Sequence, residues 1–136
     1  MGLTVLDSGV LIAVMDRDDV HHATARAAVS AALREDDLVL PASAYTEVLV
    51  LPSRLGGDAV RQAEGFIDDL PARVEPASRQ IAASAAALRA RFGRSLKLPD
   101  ALVIATAQAV MADRIITTDR GWPDAGVTVQ VVAGRP

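Results

Sequence analysis

The sequence predicts an α/β fold, in which a central, mostly parallel sheet of about four to five short strands is covered by helices on both faces. Hydrophobic residues make up 51% of the chain and aromatic residues only 3%, so the core must consist of aliphatic side chains. Short apolar runs of strand length alternate with longer segments whose apolar residues recur at helical spacing. Such alternation favours parallel strands that are joined by helices.

Five short segments have the character of strands, because each is apolar and is bounded by polar or turn-forming residues. Two of them lead directly to an acid: "LTVL" is followed by Asp7, and "RIITT" is followed by Asp119. Strands are therefore predicted at residues 3–6, 38–41, 73–76, 114–118 and 127–132.

Helices are predicted between these strands from apolar periodicity and from capping residues. Ser43 is the expected N-cap of the third helix, and Asp58 that of the fourth. Pro99 and Asp100 open the last helix, which is almost entirely apolar. The predicted helices cover residues 9–15, 22–34, 44–55, 58–70, 78–92 and 99–111.

The chain has the size and pattern expected of one domain. Its 136 residues can bury a substantial core, and no repeat, linker or low-complexity segment divides residues 1–136. The apolar run near the N-terminus lacks a basic flank and is interrupted by Asp7, which argues against a signal peptide. No stretch reaches the roughly 20 apolar residues of a membrane span. We therefore expect a single, soluble, cytoplasmic domain with no membrane partner.

The composition excludes several kinds of site. The chain has no cysteine, which rules out disulfides and thiolate metal sites. Its two histidines, His21 and His22, are adjacent, and this spacing does not suit zinc. A metal would therefore need oxygen ligands, which favours Mg²⁺ or Mn²⁺. The net charge of -3 means that a nucleic acid would have to be held by a local basic patch or through metal ions.

Four acids are predicted to meet at one edge of the sheet. Asp7 and Asp119 follow strands directly, whereas Glu47 and Asp100 stand near the starts of helices that begin at the same edge. Ligands of open parallel sheets bind outside the carboxyl ends of the strands. Clustered carboxylates repel one another unless a cation neutralises them. One or two Mg²⁺ or Mn²⁺ ions in such a cluster can activate water for phosphodiester hydrolysis.

Each acid has an ordinary explanation when it is considered alone. Asp100 suits the first turn of a helix, Glu47 suits a helix surface, and Asp119 suits a turn. Asp7 is harder to explain, because a charge between two apolar runs is costly unless it is used. The agreement of all four positions with one predicted edge favours a shared site.

Four blocks of the sequence resemble the acidic blocks of PIN-domain ribonucleases, and most closely those of VapC-type toxins from bacterial toxin–antitoxin pairs. The blocks occur in order over essentially the whole chain and read "VLDSGVLIAV", "ASAYTEVLVL", "LPDALVIATA" and "IITTDRGW". The resemblance implies a PIN-like three-layer α/β/α sandwich. It also implies a metal-dependent endoribonuclease that leaves a 3′-hydroxyl and a 5′-phosphate.

The resemblance assigns roles to particular residues. The family's metal-binding and catalytic acids correspond to Asp7, Glu47, Asp100 and Asp119. Ser8 matches the small hydroxyl residue that usually follows the first acid. Thr118 stands where the family often has Asn or Ser, and this departure concerns a supporting hydrogen bond rather than a metal ligand. Trp122 occupies a position that is commonly aromatic, and the adjacent histidines match a frequent feature for which helix-start packing is the simpler explanation.

Basic residues near the acids suggest an RNA partner, and excess apolar surface suggests a protein partner. The cations expected to rim the acids, and so to bind RNA phosphates, are Arg94, Lys97 and Arg120. Ordinary surface charge explains each of them equally well when it is considered alone. The apolar surfaces of "SGVLIAVM", "EVLVLPSRL" and "AEGFIDDL" exceed what a small sheet must cover. The resemblance implies that a VapB-like antitoxin covers the toxin with its C-terminal segment, and that the toxin is a homodimer.

Other α/β functions fit less well. A phosphatase of this type would need a second Asp where the chain has Gly9, and a receiver domain would need an acidic pair and a late lysine. A dinucleotide-binding domain would need a glycine-rich turn after the first strand, which "DSGVL" does not provide. The alternative from another class is a non-catalytic PIN-like module that binds RNA or protein. No motif identifies the RNA, so tRNA, rRNA and mRNA are all open.

Overall fold

The computed structural model describes residues 2–135 and contains one five-stranded sheet. Its strands are β1 (Gly2–Leu6), β2 (Asp36–Pro41), β3 (Arg73–Glu75), β4 (Arg114–Thr117) and β5 (Val129–Val131). The order is β3-β2-β1-β4-β5, and every neighbouring pair is parallel. The predicted parallel sheet is confirmed. The largest differences are that β2 begins two residues earlier than predicted and that β5 is shorter at both ends.

Six helices connect the strands. They are α1 (Ser8–Met15), α2 (His22–Glu35), α3 (Ala42–Leu55), α4 (Gly57–Asp69), α5 (Arg79–Phe92) and α6 (Leu98–Ala109). A 3-10 turn, Gly93–Ser95, separates α5 from α6. Ser78 caps α5, since its Oγ accepts a hydrogen bond from the Ile81 N–H at 3.1 Å.

Two predicted helix caps are wrong. Strand β2 leads directly into α3, so the N-cap is Pro41, and Ser43 lies inside the first turn. The Ser43 Oγ is buried and has no hydrogen-bond partner within residues 2–135. Asp58 likewise lies inside the first turn of α4, whose N-cap is Gly56 with a φ of 121°. Glycine adopts a positive φ of this kind without strain, so the turn between α3 and α4 lies at Gly56 and not at Asp58.

The helices form two layers, one on each face of the sheet. The chain passes from β1 to β2 to β3 in one direction and then returns to β4 on the far side of β1. Right-handed crossovers therefore place α1–α4 on one face and α5–α6 on the other. The contacts agree, because α1 packs against α2 and α3, α3 packs against α4, and α5 packs against α6. The predicted three-layer α/β/α sandwich is confirmed, and its topological switch point lies between β1 and β4.

The core is aliphatic, as the composition predicts. Leu6 of β1 and both isoleucines of β4, Ile115 and Ile116, are fully buried. Helix α6 buries half of its residues, which explains why its sequence shows almost no polar face. Within residues 2–135, no helix combines the length and the hydropathy needed to cross a membrane.

A polar network ties the strands together at the edge opposite the predicted site. Thr4, which is fully buried in β1, donates a hydrogen bond to Asp36 of β2 at 2.6 Å and accepts one from the Arg114 Nε at 3.0 Å. Arg114 also donates to Asp36 at 3.3 Å and to Gln130 at 2.8 Å. The hydrogen bond from Thr4 and the nearby guanidinium lower the pKa of Asp36. The network thus fixes the alignment of four neighbouring strands.

Candidate metal centre

Asp7 is the most deeply buried of the four predicted acids. It follows β1 and is the N-cap of α1, with its Oδ1 accepting a hydrogen bond from the Ser8 N–H at 2.8 Å. Its own N–H donates to the Ile116 carbonyl at 3.0 Å, so the backbone is held between β1 and β4. Its exposure is only 6%. The carboxylate therefore lies at the switch point of the sheet, where the topology predicts a ligand site.

Thr117, the last residue of β4, connects two of the acids and was not singled out by the sequence analysis. Its Oγ1 donates a hydrogen bond to the Asp7 Oδ2 at 2.7 Å and accepts one from the Asp119 N–H at 3.0 Å. Its side chain is fully buried. In the sequence, Thr117 could have been recognised as a hydroxyl residue at the end of an apolar strand, two positions before Asp119. Thr118 has the same side chain one position later, so the sequence does not show which of the two contacts the acids.

Thr118, the predicted supporting residue, lies against the start of α1 instead. A Cβ built at Gly9 would come within 2.5 Å of the Thr118 Oγ1. The absence of a side chain at Gly9 therefore allows the loop after β4 to approach α1. In this arrangement Thr118 contributes to packing, and Thr117 makes the hydrogen bonds to the acids.

Glu47 reaches the site from α3. It is half-buried, and its Oε1 accepts a hydrogen bond from the Ser8 Oγ at 3.2 Å. Ser8 itself is buried at the first position of α1. Ser8, a predicted supporting residue, thus links two of the acids, since its hydroxyl donates to Glu47 and its N–H donates to Asp7.

Asp100 lies in the first turn of α6 and is half-buried. Its pKa is raised from 3.8 to about 6, mainly by burial and in addition by the charges of the other three acids. A hydrogen bond from Trp122 acts in the opposite direction. An acid that served only to stabilise the start of a helix would be expected to ionise easily. The raised pKa of Asp100 shows that burial and the neighbouring acids outweigh the effect of the helix start.

Asp119 is exposed and is held by its own loop. Its Oδ1 accepts a hydrogen bond from the Gly121 N–H at 2.8 Å, and its Oδ2 accepts one from the Trp122 Nε1 at 3.2 Å. The indole N–H thus orients Asp119, and it also acts on Asp100. An outer hydrogen bond of this kind commonly orients a carboxylate that binds a metal.

The four acids interact electrostatically. Burial raises the pKa of Asp7, while hydrogen bonds from Thr117 and from the Ser8 N–H lower it. The charges of Glu47 and Asp119 raise it again. Glu47 and Asp119 therefore lie close enough to Asp7 and Asp100 to disfavour the ionisation of those two acids, and a cation at this place would relieve the repulsion.

The donor set suits Mg²⁺ or Mn²⁺, since every candidate ligand is a carboxylate oxygen. In the conformation described for residues 2–135, however, no three Asp, Glu, His or Cys side chains are grouped closely enough to hold an ion. Both oxygens of Asp119 accept hydrogen bonds from its own loop, and its exposure leaves its side chain room to rotate. The residues therefore fit a divalent cation in chemistry and charge, and the side chains would have to draw together around it.

The three cations that the sequence analysis placed beside the acids are all exposed. Arg94 lies in the 3-10 turn, Lys97 is the N-cap of α6, and Arg120 follows Asp119. Across residues 2–135, none of these three forms a salt bridge. Their charges are therefore available to a ligand.

The PIN domain family model matches residues 4–127. This chain belongs to the PIN domain family. The resemblance seen in the acidic blocks is thereby confirmed at the level of the family. No curated protein matches the chain at a significant level of sequence similarity.

Solved structures with the same fold include several from toxin–antitoxin systems. A toxin–antitoxin complex from Klebsiella pneumoniae contains a chain that is 23% identical, with a TM-score of 0.76 over 96% of this PIN domain protein and 98% of that chain. FitAcB from Neisseria gonorrhoeae is 20% identical, with a TM-score of 0.72 and coverage of 93% and 95%. Mycobacterium tuberculosis VapC20, a toxin that cleaves the sarcin-ricin loop, is 17% identical, with a TM-score of 0.67 and coverage of 90% and 91%. At these low sequence identities, the similarity shows that this chain and the three solved structures share a fold.

Proposed function

We propose that this PIN domain protein is a metal-dependent endoribonuclease and the toxin of a VapBC-type toxin–antitoxin pair. The observation that carries the proposal is that four carboxylates face the switch point of the sheet, where the charges of Asp7, Glu47 and Asp119 all raise the pKa of Asp100. Residues 1–136 would act as a single domain. The described neighbours with this fold include a toxin that cleaves RNA, which supports the same class of activity.

The proposed ligands of one or two Mg²⁺ or Mn²⁺ ions are Asp7, Glu47, Asp100 and Asp119. Bound there, the metal would lower the pKa of a water and stabilise the leaving oxygen of the phosphodiester. Thr117 and Ser8 hold Asp7 and Glu47 in place, and Trp122 holds Asp119. Asp100, with a pKa of about 6, gives up its remaining proton when a cation is bound. Cleavage would leave a 3′-hydroxyl and a 5′-phosphate.

The RNA backbone would be held by Arg94, Lys97 and Arg120. All three are exposed and unpaired among the described residues, and phosphate contacts of this kind position a nucleic acid without reading its sequence. They compensate locally for a chain whose net charge is -3.

The test is cleavage of total cellular RNA in Mn²⁺, in Mg²⁺ and in EDTA. We expect discrete fragments that disappear in EDTA and in Asp100→Asn, which removes one charge with little change in shape. Fragments that persist in EDTA would contradict the metal mechanism. Intact RNA in every lane, together with no binding of Mn²⁺ by calorimetry, would overturn the nuclease proposal. The non-catalytic binding module would then be favoured, and stable RNA retention would support it.

We further propose that the antitoxin occupies a groove that begins at the acids. One part, of about 360 Å³, is lined by Glu47 and by apolar residues of α1 and α3 that include Ile12 and Leu51. It shares Met15 and Pro52 with a second part of about 550 Å³ that extends to α2 and α4. An amphipathic helix binds to such a groove through its apolar face, and a segment placed there would cover Glu47. The protein would also form a homodimer.

A further inference from the structure

A second pocket adjoins the acids on the side of β5. Its volume is about 260 Å³, and its walls come from the loop after β4 and from the edge strand. The lining residues are Asp119, Arg120, Trp122, Pro123, Asp124, Val127, Val129 and Val131. Asp119 and Trp122 therefore belong to both the acid site and this pocket.

The walls of this pocket combine charged side chains with apolar ones. Val129 and Val131 occupy alternate positions of β5, so their side chains point to the same side of the strand, and Val127 of the preceding loop lines the same pocket. Val131 is 42% exposed although it pairs with Thr117, which lies at the level of Asp7. A pocket that places an indole and three valines beside Asp119 and Arg120 suits a ligand that has apolar faces and carries an anionic group.

We propose that this pocket binds one unpaired nucleobase of the RNA, next to the phosphate that is cleaved. The proposal rests on the proposed nuclease function. A base offers flat apolar faces to Trp122, Pro123 and the valines, and aromatic side chains are common platforms for unstacked bases. Arg120 at the rim carries the charge needed for the adjoining phosphate. Asp124 can accept a hydrogen bond from an amino group on the edge of the base.

The pocket limits the class of substrate. A base inside a helix is stacked and paired on both sides, so it cannot enter a side pocket unless the pair is opened. The substrate is therefore RNA that is single-stranded at the cleavage site, as in a loop or bulge. The continuity of the pocket with Asp119 favours RNA over a protein side chain as its occupant.

The chain offers a direct probe, because Trp122 is its single tryptophan. Short single-stranded RNA is titrated into the Asp100→Asn variant in Mg²⁺, and the fluorescence of Trp122 is recorded. A base that stacks on the indole should quench it. The same RNA carrying one abasic position is then scanned, and we expect quenching to be lost, and affinity to fall on the order of 10- to 100-fold, at one position only.

Kinetics with the otherwise unchanged chain give the second test. Val131→Asn should raise KM on the order of 10- to 100-fold with little change in kcat or in Mn²⁺ affinity, because it makes the wall polar without adding a charge beside the acids. Val50→Asn is the matched control, since Val50 is similarly exposed, at 44%, but lies on α3 outside this pocket. It should leave KM unchanged.

Several results would overturn the base pocket while leaving the nuclease intact. One is metal-dependent cleavage that is equally fast on every abasic substrate, and another is equal quenching by duplex RNA. Quenching by a purified antitoxin but by no RNA would assign the pocket to a protein. The absence of any cleavage, together with unchanged quenching by abasic RNA, would remove both proposals.

Discussion

At the scale of single residues, Thr117 does more to organise the acids than its neighbour Thr118. It is fully buried, donates to Asp7 and accepts from the backbone of Asp119, so one hydroxyl sets the relative position of two acids. The sequence shows two adjacent threonines before Asp119. Only the pairing of β4 with β5, which extends through Thr117, determines which of them faces the site.

Replacing Thr117 tests this role. Thr117→Val keeps the shape but leaves the buried Asp7 Oδ2 without its donor, which should lower the free energy of unfolding by about 1–3 kcal/mol. It should also weaken Mn²⁺ binding by about 10- to 100-fold, as is typical when the outer partner of a ligand is lost. Calorimetry and thermal unfolding measure the two effects. Thr117→Ser retains the hydroxyl and should behave like the unchanged protein, whereas normal Mn²⁺ binding by the Val variant would exclude the role.

At the scale of elements, α3 combines a buried side with an unusually apolar exposed side. Val48 is buried, whereas Leu51 and Leu55 are 60% and 71% exposed and line the groove that begins at Glu47. Helical periodicity alone predicted a core helix with some excess apolar surface. The packing of α1 and α4 against α3 decides which of these residues remain uncovered, and periodicity within one helix does not show how its neighbours pack.

The groove proposal predicts a separation of binding from catalysis. Leu51→Gln should reduce affinity for the co-expressed antitoxin by at least about 10-fold, because it places a polar group in an apolar contact without adding a charge beside Glu47. RNA cleavage and thermal stability should be unaffected, since the side chain is exposed. Leu33→Gln is the control: Leu33 is 41% exposed on α2 and lies outside the groove. Retention of the antitoxin by the Leu51 variant would place the interface elsewhere.

At the scale of the whole molecule, the two edges of the sheet respond to pH in opposite directions. Asp100 has a folded pKa of about 6, above its ordinary 3.8, so its ionisation destabilises the metal-free fold as pH rises from about 4 to 6. The raised pKa of Asp7 acts in the same direction. The lowered pKa of Asp36, at the opposite edge, stabilises the fold above 3.8, and this contribution is lost as pH falls below that value.

We therefore expect the protein in EDTA to be more stable at pH 5 than at pH 7.5. Mn²⁺ should raise the melting temperature at pH 7.5, where the acids are ionised, and should have little effect at pH 4.5, where Asp100 is protonated. Thermal unfolding at the two pH values, with and without Mn²⁺, provides the measurement. Asp100→Asn should flatten the pH dependence in EDTA. Equal stabilisation by Mn²⁺ at both pH values would show that the ion binds elsewhere.

The sequence by itself determined the α/β class, the parallel sheet, most helix bounds and the family. These properties depend on local periodicity, on capping and on acidic blocks, all of which are visible along the chain. The placement of Asp7 and Asp119 at strand ends was likewise predictable, because parallel strands share a carboxyl edge. Their assignment as metal ligands stays a prediction.

Only the tertiary structure decided how the acids are held and what surrounds them. The choice of Thr117 over Thr118 depends on a hydrogen bond to Asp7, far away in the sequence. The indole hydrogen bond to Asp119 and the pocket beside β5 depend on how the loop after β4 folds against the edge strand. The start of α3 at Pro41, without a side-chain cap, also departs from local preference. Such features are set by strand order and packing, whose energies outweigh a local preference of about one hydrogen bond.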